Sequence, residues 1–249
     1  MATVYARIQS RARQIVSGFP APDFYIEKAD TITLSRKLMA ESKQISQLKT
    51  IVAQRLEDDF GHGLQHAEKV SLEAGALVLI EGHRSQLPRS VVRRHVFLVQ
   101  CAGLLHDICR KKKNHAVMGA AIAERILQDF SLSPKEISDI CLSIQTHEAF
   151  KAEIVINSSK GRLLSGCLYD ADKFRWGPDN FTDTLWDMVS FRNPPLKTFI
   201  DHYPKGMKGL EKIKHTFRTQ TGRKYGPQFI DIGIAIGEAL YRVILEEFV

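Results

Sequence analysis

The chain has 249 residues, 44% apolar and 25% charged, with 35 Lys+Arg against 28 Asp+Glu and a formal charge of +7. That much apolar surface excludes intrinsic disorder, and the length excludes a small disulfide-stapled scaffold. No stretch approaches the roughly 18 apolar residues that span a bilayer.

Residues 1–19 carry several arginines but no long apolar run, so a secretory signal is not expected and a cytoplasmic location is. Residues 30–59 repeat Leu34, Leu38, Ile45, Leu48, Ile51, Val52 and Leu56 at helical spacing. Residues 64–82 do the same with Ala67, Val70, Ala74, Leu77 and Val78. Residues 90–108 are apolar on nearly every side, the mark of a buried helix. Ser133-Pro134-Lys135-Glu136 predicts a helix start, with Ser133 as cap, Pro134 in the first turn and Glu136 completing a capping box. Ile137, Ile140 and Ile144 then face inward. Residues 151–170 break the pattern and offer the one strand candidate, a short β-hairpin near 153–169. The last 20 residues, with Phe229 just before them, predict a closing amphipathic helix through Ile236, Leu240 and Ile244. The fold class is therefore all-α, as one helical domain over residues 1–249.

Cys101, Cys109, Cys141 and Cys167 form no CxxC pair and lie in or beside apolar runs, as free thiols do in a reducing compartment. The histidines are less ordinary. His147 continues the inward stripe of Ile137, Ile140 and Ile144; His115 leads Met118, Ile122 and Ile126; His106-Asp107 closes the apolar run 96–105. A buried carboxylate such as Asp107 needs a partner or a cation. One such histidine is best read as a core residue bonded to a carbonyl. The ordered set, with His66, Asp170 and Asp172, reads instead as ligands of divalent metal, since imidazole and carboxylate together suit first-row ions.

In that order the motifs resemble the HD-domain metal-dependent phosphohydrolase superfamily, over about residues 55–230. His66 with Ala67 to Val70 looks like its first metal histidine, and Leu104-Leu105-His106-Asp107-Ile108 looks like the His-Asp doublet. Asp170-Ala171-Asp172 looks like its closing element, and His115 and His147 resemble the second-site histidines of binuclear branches. His202 through Lys224 is similar to the tail of an uncharacterised bacterial branch. That branch has His-Asp where this chain has His62-Gly63. Thr146 stands in place of one paired histidine of the cyclic-dinucleotide branch, which argues against that substrate.

The resemblance implies an HD-type helical bundle: an N-terminal cover over 1–55, a metal-binding core over 56–175 and a C-terminal helical extension over 176–249. It implies an enzyme that cleaves a phosphate ester or nucleotide, with one or two ions of Mn, Fe, Mg, Ni, Co or Zn. His66, His106, Asp107 and Asp172 would hold the first ion, and Asp107 would bridge to a second held by His115 and His147. Asp107 is thus the central catalytic residue. Because nine residues separate His106 from His115, one straight helix would turn them apart, so a break is expected at Lys111–Asn114. His62, Arg110, Lys173 and Arg175 are candidates for binding a small phosphorylated metabolite or nucleotide. Asp170 is expected to orient a histidine. Trp176 and Trp186, with Phe174, Phe181 and Phe191, read first as core and second as a pocket wall.

Two other readings compete. Some relatives of this fold are di-iron oxygenases with the same ligand order. A non-catalytic binding module is the third, motivated by the basic balance. The spread of Lys and Arg along the chain argues against nucleic acid, and a membrane partner is not expected. A homo-oligomer stays open.

Overall fold

A computed structural model describes residues 3–56, 63–151, 154–186, 189 and 193–249, and among them every regular element is helical. The N-terminal part comprises α1 (Val4–Ser17), the short α2 (Asp23–Glu27), α3 (Ala29–Glu41) and α4 (Lys43–Leu56). The stripe over residues 30–59 is thus two helices that part at Ser42, whose extended ψ of 108° ends α3. Then come α5 (Leu64–Arg84), α6 (Arg89–Leu105), α7 (His115–Leu127), α8 (Pro134–Gln145) and α9 (Ser159–Phe174). A π-helical turn at Asn180–Thr184, α10 (Leu196–Ile213) and α11 (Gln220–Glu247) complete the chain. None of these helices is long and apolar enough to cross a membrane.

The centre of the molecule is α5 against α6, with α9 and α8 closing around them. The fit is tight because small residues meet there. A Cβ on Gly103 would stand 2.7 Å from the Ser71 Cα, so α6 lies against α5 only with glycine at that point. Ser71 donates to Ala67 O and Gln100 O, which keeps its hydroxyl satisfied in a dry interface. Val70, Leu77, Val96, Leu98, Ile140, Ile144 and Leu168 have no exposure at all, and burying each contributes about 1.5–3 kcal/mol. Phe24 of α2, Phe174 of α9 and Phe229 of α11 join three distant parts of the chain. Phe174 and Phe229 stack with centroids 4.2 Å apart.

The capping box at α8 forms as its sequence dictates: Glu136 N–H donates to Ser133 Oγ, and Ser133 N–H to Glu136 Oε2. Over the described residues 154–169 the expected hairpin does not form. Ser158 accepts a hydrogen bond from Gly161 N–H instead, so the polar stretch before Arg162 is a helix cap and 159–174 is α9. The expected break between His106 and His115 is present but wider. Helix α6 ends at Leu105, residues 106–114 run through turns, and Asn114 takes a left-handed φ of 63° before α7.

Candidate metal centre

Helix ends assemble the site. His66 lies in the first turn of α5, His106 caps α6, and Asp107 follows it into the turns; His115 opens α7. His147 comes just after α8, and Asp172 sits in the last turn of α9. The C-terminal turns of α6 and α8 carry carbonyls with no partner inside the helix. His106 Nδ1 donates to one of them, Gly103 O (2.7 Å), and His147 Nδ1 to the other, Ile144 O (2.6 Å). A carbonyl only accepts, so the Nδ1 of each ring carries a proton and Nε2 is aimed into the site.

Asp107 stands between two imidazole pairs. Its Oδ2 lies 3.5 Å from His106 Nε2 and 3.8 Å from His66 Nε2. Its Oδ1 lies 3.4 Å from His147 Nε2 and 3.6 Å from His115 Nε2. Within each pair the Nε2 atoms are 3.3 Å apart. Asp172 Oδ1 adds a carboxylate to the first pair, 3.6 Å from His66 and 3.7 Å from His106. The donor atoms of His66, His106 and Asp107 lie within 4.8 Å of one another, and so do those of Asp107, His115 and His147.

The donor set fits a divalent cation. Asp107 Oδ1 is buried without a hydrogen-bond partner among the described residues. It faces the Nε2 atoms of His147 and His115 at 3.4 and 3.6 Å without a hydrogen bond to either. Such an arrangement is costly unless a cation sits among the lone pairs. These buried His and Asp groups can therefore hold metal. Burial works to raise the Asp107 carboxyl, but Arg110, His106 and His147 outweigh it and hold Asp107 well below the usual carboxylate range. Asp172 is held down against burial by Lys173, His106 and His66. Burial lowers His66 and His115, favouring the neutral ring that ligates.

The site opens into a cavity of about 600 Å³, on whose wall lie Arg110, Lys173 and Arg175. Arg110 pairs with Asp107, and Lys173 Nζ lies 2.6 Å from Asp172 Oδ2. Arg175 is held differently. Its guanidinium lies in a buried network with Glu73 of α5, Tyr25 of α2 and Asp179. Burial opposes its charge, but Glu73, Tyr25 and Asp179 outweigh burial and keep it protonated. Its Nε is buried with no partner among the described residues. His62 and Phe191 lie outside the described residues.

Asp170 does not orient a histidine. It accepts the backbone N–H groups of Arg218 and Thr219, both at 2.8 Å, and so fastens the start of α11. Two apart on a helix is about 200°, so Asp170 and Asp172 serve opposite sides of α9. Phe174 and Trp186 are core, whereas Trp176 is half-buried on the cavity wall. Sequence reading overlooked Glu73 and Glu148. Glu73 falls on the apolar face of α5 between Val70 and Ala74, and a lone carboxylate there was the available signal. Glu148 Oε1 lies 3.9 Å from His115 Nδ1, but nothing in its neighbours distinguishes it from an exposed glutamate. No family model, curated protein or solved structure matches the chain.

Proposed function

We propose that the chain is a metal-dependent phosphohydrolase of the HD-domain type, acting on a phosphate ester or nucleotide. The observation that carries this reading is Asp107, with one oxygen toward each imidazole pair and one of the two without a hydrogen-bond partner among the described residues. His66, His106, Asp107 and Asp172 would hold one ion, and Asp107, His115 and His147 a second. Divalent ions there supply a water of lowered pKa and positive charge for the phosphoryl oxygens.

The chain's own groups support the rest of the chemistry. Lys173 and Arg110 put two cations beside the acidic ligands, where a phosphoryl group would otherwise meet carboxylates. Arg175 adds a third cation on the same wall, in a position fixed by Glu73. His106 and Asp172 are almost fully removed from solvent, which strengthens every charge interaction at the site.

The test is metal content by elemental analysis of protein purified without chelator or affinity tag, followed by a hydrolysis panel. Two ions per chain and hydrolysis of a phosphomonoester, phosphodiester or nucleotide are expected. A metal-loaded protein that cleaves none of them overturns the reading.

A further inference from the structure

A second cavity, of about 480 Å³, adjoins the metal centre and differs from it in kind. Its wall is mostly apolar and includes Phe181, Tyr203 and Met207, and the Tyr203 hydroxyl is already spent on Gly237 O. It shares Trp176, Gly206 and Leu210 with the wall of the metal cavity, so the two spaces meet there.

Two features mark this space as reserved. The first is glycine where the fold has no use for it. Gly206 lies within α10, and a Cβ built there meets nothing within 4 Å; the same holds for Gly209, on the metal-cavity wall. Mid-helix glycine is unfavourable relative to alanine, and here neither crowding nor a left-handed backbone requires it. Gly206 and Gly209 are three apart and so share one helix face. The second feature is Asn180. It opens the π-helical turn and lines the apolar cavity, and its Oδ1 is buried without a partner among the described residues. Single π turns are frequent at functional sites.

We infer that this cavity seats the organic part of the substrate, a largely apolar ring bearing an N–H donor, whose phosphate reaches the metal centre past Gly206. Trp176 is the aromatic surface common to both spaces, Asn180 Oδ1, enclosed in the free protein, takes the ring N–H once its amide turns toward the cavity, and Gly206 keeps the passage open. Gly206 and Asn180 thereby become specificity residues. The inference rests on the phosphohydrolase reading, but the cavity can be probed without turnover.

The first test is binding of indole, followed by NMR shifts or by calorimetry, with benzofuran as the isostere lacking the N–H. Indole should bind the parent protein and prefer it over benzofuran by about tenfold or more, the usual penalty for leaving a buried acceptor unpaired. Gly206→Leu should abolish binding while its metal content stays at the parent level. Gly206→Ala should raise the unfolding temperature. With metal loaded, the ratio of kcat/KM for phenyl phosphate over glycerol phosphate should fall about tenfold or more in Gly206→Leu. Absence of indole binding to the parent, equal binding by Gly206→Leu, or a lower unfolding temperature in Gly206→Ala overturns the inference. Equal affinity for indole and benzofuran overturns the assignment of Asn180. Indole binding that Gly206→Leu abolishes, in a protein that hydrolyses no ester, supports the cavity and removes the phosphohydrolase reading instead.

Discussion

The two halves of the metal centre share Asp107 and little else. The half built on His66, His106 and Asp172 brings a second carboxylate, and its three side chains are 9%, 0% and 9% exposed. The half built on His147 and His115 has only Glu148 nearby, 3.9 Å from the outward nitrogen Nδ1 of His115 rather than from Nε2, and His115 is 21% exposed. Their supports differ as well. Beside the first half, Arg175 and Glu73 form a buried ion pair that ties α5 to the segment after α9. The second half hangs from α8, which is fastened to α6 at its far end by the surface pair Arg94–Glu136. The lesson is that one carboxylate can face two unequal donor sets, and on the binuclear proposal the two sites should empty in order under a chelator, that of His115 and His147 first.

Asp107→Ala should erase the difference between the halves altogether. Both ions should be lost and hydrolysis abolished, an effect beyond the roughly 100-fold that follows loss of a supporting contact; elemental analysis and single-turnover assays check this. Glu73→Ala should strike the first half through its support. Removing Glu73 leaves the buried Arg175 with only Asp179 and Tyr25 as partners, at a cost of up to about 3–5 kcal/mol, visible as a lowered denaturation midpoint. His147→Ala should sharpen the contrast, dropping metal content from two ions to one with the fold intact. Equal metal content in variant and parent would remove the binuclear arrangement.

The smallest effect concerns acid. Glu136 is pulled from its ordinary range down to about 2, chiefly by its hydrogen bond to Arg94. A carboxyl depressed in the folded state stabilises above its unfolded pKa, near 4.5, and that contribution is lost as pH falls toward 2. Glu136→Gln should cost about 0.5–1 kcal/mol at neutral pH and nothing below pH 2. Urea midpoints of parent and variant should converge over that window.

Much of this was legible because it is local. The capping box needs four consecutive residues, and the inward stripe ending at His147 needs one helix face. The stretch 153–169 misled for the same reason. Ile154, Val155 and Ile156 favour strand, and Ser-Ser-Lys-Gly serves a hairpin turn or a helix cap equally well. Only the packing of α9 against α5 and α8 decides between them. The ligand residues could be named by order, whereas the two-sided placement of Asp107 could not, since it depends on where α6 stops. Asp170 was misassigned because its partners are backbone N–H groups 48 and 49 residues away, which leave no side-chain signature.

Asp170 also gives α9 a mechanical role. A Cβ on Gly222 would come within 2.0 Å of the Asp170 carboxylate, so the start of α11 is seated on α9 with no clearance. Any load that shifts α11 therefore reaches α9 through Asp170, two residues from Asp172 on the same helix. A screen for variants that lose metal should therefore return changes at Gly222, a residue that touches no ligand of the ion.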